Sequence, residues 1–208
     1  MRLIIKIGLS ILIVITILLL LGIIPPVVYV CKMHNVLSQN GLRMTKMIGS
    51  DVISYAQNHG RMPNSNLWCN QLMESSSNLS KHDFGIGQYP EVQCAIAYNR
   101  NLSDVPIANL PGNIVVLFEA DGQMNLAGDA NTIAKSRTKD IYLDSWFYKE
   151  KYIFIYFFDK TIVKYRLPDG AVSKYDPERK QFLSYVNNSP YLPLQWQPTT
   201  QTATQDGK

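Results

Sequence analysis

The chain has 208 residues and a formal net charge of +4, from 20 Lys and Arg against 16 Asp and Glu. The surplus is small and spread out, so the clustered basic stripe that follows nucleic-acid phosphates is missing and nucleic-acid binding gets no support. Of the three cysteines, Cys31 follows an apolar stretch, while Cys69 and Cys94 form a pair that can close a loop in an oxidising compartment.

Ile7 to Cys31 contains no charged residue, is dense in Ile, Leu and Val, and holds Pro25 and Pro26 near its end. A bilayer core about 30 Å thick needs roughly 20 apolar helical residues, which this stretch supplies. Residues 1–31 are therefore predicted to be an uncleaved transmembrane anchor. A cleaved secretory signal fits less well: the apolar core exceeds the usual span of about 7–15 residues and no small-residue cleavage pattern follows. Tyr29 and Val30 stand where a lipoprotein signal before Cys31 needs small residues. Arg2 and Lys6 on one side balance Lys32, Arg43 and Lys46 on the other, so charge does not orient the span. A short head and a long tail fit a signal-anchor with the tail translocated, which implies a single-pass protein of the cell (inner) membrane with its soluble part extracytoplasmic.

The next predicted element is an amphipathic helix within residues 32–62. Leu37, Met44, Ile48, Val52 and Tyr55 recur at helical spacing with Gly41 in the same stripe, and Arg43, Lys46, Ser50 and Gln57 lie opposite. Gly60 and Pro63 end it. A short helix over Asn66 to Met73 carries Trp68 and Cys69, and a polar loop follows from Glu74 to Gln88. The period then changes. Cys94 to Tyr98, Asn113 to Glu119, Tyr152 to Phe158, Thr161 to Arg166 and Ala171 to Tyr175 read as strands. The second and third are almost continuously apolar, which implies cover on both faces. Phe158 to Thr161 is short enough for a hairpin between antiparallel neighbours. A long helix followed by a run of strands predicts an α+β fold: a long N-terminal membrane-spanning and amphipathic helix, then a small antiparallel sheet. That sheet domain is expected over residues 63–197, with Pro193 to Trp196 docking onto it and a disordered tail at 198–208.

The order of these features, with Ser54-Tyr55-Ala56-Gln57-Asn58-His59-Gly60-Arg61-Met62-Pro63 closing the helix, resembles type IV pilins and pseudopilins. The chain is more similar to a prepilin-like family of planctomycete-type bacteria. The similar pieces are Trp68 to Leu72, Cys94 to Asn99, Val115 to Glu119, the hairpin around Phe158-Asp159, and Leu194 to Pro198. The resemblance implies a non-enzymatic subunit or accessory of a pilus-like or secretion-like assembly, whose partners are the lipid bilayer and pilin-like subunits of the same or another chain. Two departures stand against it. The Gly-Phe-Thr-Leu-x-Glu prepilin peptidase motif is absent, and Phe157-Phe158-Asp159-Lys160-Thr161-Ile162 lacks the Gly and His of the family's turn. A free-standing, membrane-anchored binding domain that has lost assembly is the alternative.

Motifs that carry chemistry are few. The sequence has no Gly-x-Ser-x-Gly, His-Glu-x-x-His or Walker loop. His34, His59 and His82 have no second ligand at metal spacing, so no catalytic, cofactor or metal residue is expected. Asp121, Asn125 and Asp129, with Gly122 and Gly128, form an oxygen-rich loop of the kind in which some pseudopilins hold Ca²⁺. The competing reading is a solvated turn, because Ca²⁺ takes about 6–8 oxygens. Glu119 ends an apolar strand and is expected to be paired structurally. Compartment, placement and the resemblance together lead to a Cys69–Cys94 disulfide, with two ordinary buried thiols as the alternative.

Overall fold

The computed structural model describes residues 16, 40–85, 94–136, 152–167 and 169–198. Apart from Thr16, the expected anchor at 1–31 lies outside the described residues, as do Leu37, His34 and the tail beyond Pro198. The chain divides into two units, Met1–Asn40 and Gly41–Lys208, and every strand of the sheet belongs to the second.

Helix α1 runs over residues 40–59. Its buried stripe is Gly41, Thr45, Ile48, Gly49, Val52, Ile53 and Ala56, while Arg43, Lys46, Ser50 and Gln57 are exposed. This is the one-sided pattern expected of a helix that covers a core. Gly60 closes it at φ 72°, a left-handed conformation that costs glycine nothing. Helix α2 follows at Trp68–Ser75.

The strands are β1 (Cys94–Asn99), β2 (Val115–Gly122), β3 (Ala127–Gly128), β4 (Tyr152–Phe157), β5 (Ile162–Arg166), β6 (Val172–Asp176) and β7 (Gln181–Phe182), with helix α3 at Ala130–Ser136 after β3. They form one sheet in the order β3-β1-β2-β4-β5-β6-β7. Every pairing is antiparallel except β1 with β3, which is parallel. The β4–β5 hairpin is in the predicted place, with Tyr156 opposite Ile162.

These findings correct the expected fold. The described domain is mostly sheet, with seven strands in a mixed arrangement rather than a small antiparallel sheet behind a long membrane-spanning helix. No described helix is long and apolar enough to cross a membrane; α1 carries charge along its outer face. The sheet was underestimated because β3 and β7 are two residues each, too short to show a period-two pattern, and because β3 joins through a turn at Asn125, φ 61°.

Alternation along β4 shows why that run is continuously apolar. Tyr152, Phe154 and Tyr156 enter one core with Ile48, Val52, Trp68, Cys69 and Tyr98, under α1 and α2. Ile153, Ile155 and Phe157 enter a second core with Val115, Phe118, Ile133 and Tyr191. The second core is roofed by α3 and by an irregular strap over residues 190–197, whose Leu192, Leu194 and Trp196 pack on it. Each buried Val, Leu or Ile side chain contributes about 1.5–3 kcal/mol.

Candidate functional site

The densest meeting of unusual side chains lies where α2, the start of β1 and the turn between β2 and β3 converge. Leu67, the residue before α2, provides no side-chain cap, so the free N–H groups of the first turn need another acceptor. Asn125 provides it from the β2–β3 turn: its Oδ1 accepts from the Cys69 N–H at 2.8 Å and the Asn70 N–H at 3.4 Å. Its own N–H donates to Cys69 Sγ at 3.3 Å, and its Nδ2 donates to Asn70 Oδ1 at 3.3 Å. Asn tolerates the positive φ this requires better than most residues do. The neighbouring Leu126 carbonyl accepts from Trp68 Nε1 at 3.0 Å and from the Tyr98 N–H at 3.0 Å, so the turn is fastened to both α2 and β1.

Cys94 faces Gly122 across the β1–β2 register, which brings it to the same turn. Both Cys69 and Cys94 are free thiols at 0 % exposure and belong to the same buried cluster. Cys94 Sγ donates to the Ile96 carbonyl at 2.9 Å. Burial, with the neighbouring Cys94 second, pushes the Cys69 thiol up; the neighbouring Cys69 lowers Cys94 against the opposing effect of burial. Trp68 closes the site, edge-on to Phe84 at 5.5 Å and stacked with Tyr98 at 5.7 Å. A thiol pair sealed this way is shielded from external substrates.

The oxygen-rich loop has other duties. Asn125 Oδ1 is the α2 cap. Asp129 Oδ1 accepts from the Asn131 and Thr132 N–H groups at 2.9 and 3.4 Å, capping α3, and its Oδ2 lies 3.8 Å from Arg100 Nε. Asp121 is the penultimate residue of β2. Among the described residues no cluster of three or more His, Cys, Asp or Glu is placed to hold a metal ion. Glu119, 6 % exposed, accepts from the Phe154 N–H at 2.8 Å, beyond the last β2–β4 register pair, so its carboxylate takes over where the ladder stops. His59 stacks on Tyr55 at 4.0 Å and contacts the Tyr55 carbonyl; His82 sits in a separate turn at Lys81–Asp83.

Sequence reasoning placed Asn125 in the oxygen-rich loop but missed its capping role, and it missed Asn99 as a site residue. Asn125 caps a helix 55 positions away, so no local capping pattern marks it. Asn99 is fully buried at the end of β1 and donates from Nδ2 to the Val115 carbonyl at 2.8 Å and the Trp196 carbonyl at 3.0 Å. A polar residue closing an apolar strand was the available signal. No known protein family, curated protein or solved structure matches the chain.

Proposed function

We propose that the chain is a non-enzymatic, single-pass membrane protein whose soluble domain lies outside the cytoplasm and works by association with pilin-like subunits, in a pilus-like or secretion-like assembly. The observation that carries this reading is the uncharged apolar stretch Ile7 to Cys31, long enough to hold the chain in a bilayer. Three of the four buried polar residues among those described support the non-enzymatic part: Asn99, Glu119 and Ser173 each bond to backbone of the fold itself. The missing prepilin peptidase motif favours the second reading, an anchored binding domain that stands alone.

Crosslinking in native membranes separates the two. An assembled subunit gives a ladder of crosslinked species, and a free-standing domain gives a single band. Amino-terminal sequencing tests the anchor, because a mature chain beginning after Val30 would contradict it.

A further inference from the structure

We infer that Cys69 and Cys94 are a disulfide-forming pair, the site of one intramolecular covalent modification that ties α2 to β1. The placement is independent of any remote similarity. Cys94 is set opposite Gly122 by the strand register, Cys69 is set beside Asn125 by the cap, and the two positions belong to one short turn. Both sulfurs sit in the same core, Cys69 Sγ accepting from the Asn125 N–H at 3.3 Å and Cys94 Sγ donating to the Ile96 carbonyl at 2.9 Å.

The reaction needs an oxidant, here a disulfide compound such as oxidised glutathione or the disulfide of an oxidoreductase. The thiolate of one cysteine attacks a sulfur of that compound, forming a mixed disulfide and releasing one thiolate. The second cysteine, as its thiolate, then attacks the protein sulfur of the mixed disulfide, forming Cys69–Cys94 and releasing the second thiolate. The two protein thiols lose two electrons and two protons, and the oxidant's disulfide takes up both electrons and is released as two thiols. Because both sulfurs are fully buried, the oxidant reaches them before α2 docks or when it lifts away.

The test uses the full chain carrying Cys31→Ser, purified in detergent and equilibrated with oxidised glutathione. Alkylation under denaturing conditions and peptide mapping should find a single Cys69–Cys94 link. Reducing it should lower Tm by about 6–12 °C, the effect of reopening a loop of roughly 25 residues in a domain of this size. Two free thiols, a persistent mixed disulfide with glutathione, or a linked form that melts below the reduced one would each overturn the inference. No substitution of either cysteine is needed, so misfolding of a variant cannot blur the result. Trapping thiols in intact cells before lysis adds a second arm that rests on the extracytoplasmic reading. A chain that links when purified but is free in cells would count against that location and leave the pairing standing.

Discussion

The two faces of the sheet are covered by different means. One lies under α1 and α2, whose backbone hydrogen bonds are met mainly within the helices, with the Asn125 side chain added as the cap on α2, so the cover rests chiefly on an apolar stripe. The other lies largely under the 190–197 strap, which has no internal ladder and borrows its bonds from the sheet. The Val115 N–H donates to the Gln195 carbonyl at 2.9 Å, Asn99 Nδ2 to the Trp196 carbonyl, and Asn113 Nδ2 to the Pro190 carbonyl at 3.1 Å. At its start the Tyr191 hydroxyl meets Asp159 at 2.7 Å and Thr161 at 2.8 Å in the β4–β5 turn. A helical lid therefore depends mainly on shape and burial, with polar side chains needed only at the start of α2, whereas an irregular lid depends on polar side chains along its whole length.

The largest effect is expected on the helical face. Ile48→Asp puts a charge at a position with no exposure and should destabilise by about 4 kcal/mol or more, abolishing cooperative melting. An unchanged melting curve would mean that α1 contributes nothing to the core. Next comes the strap. Asn99→Ala removes the donor to two carbonyls and should cost about 1–3 kcal/mol, with faster hydrogen exchange across β2 and residues 190–197 and little change in α1. Uniformly faster exchange would erase the proposed difference between the two lids.

The smallest effect appears only in alkali. Burial first, then the nearby Asp159 and Asp51 charges, pushes the Tyr156 hydroxyl up to about 12 from 10.0. A folded value above the unfolded one means that the folded state holds the proton longer. This contribution is complete below about pH 10 and is lost as pH rises towards 12. Tyr156→Phe should flatten the fall in stability across that window, as read by denaturant midpoints at successive pH values. The buried Tyr98, also raised by burial, keeps part of the slope. An identical slope in the variant would remove Tyr156 as a source.

Much of the helical face was legible in the chain. Ile48 and Val52 repeat at helical spacing, and the side chains from Tyr152 to Phe157 alternate between two cores because strand geometry sends neighbours to opposite faces. The strap was legible only in part: Leu194 and Trp196 suggested docking, but nothing local named Asn99 or Tyr191 as its fasteners. Gly49 shows the same limit. It reads as a weak helix residue, yet a Cβ there would stand 2.6 Å from the Tyr156 ring, so the close approach of helix to sheet requires it.

Sequence alone determined the positions of α1, α2 and the five longer strands, since periodicity and turn residues act over neighbouring positions. It also singled out Cys69 and Cys94. Only the tertiary structure decided that the sheet has seven strands, that β3 lies parallel to β1, and that Asn125 caps a distant helix beside the two thiols. Two-residue strands and remote caps take their stability from partners far along the chain, and such partners leave no local pattern to read.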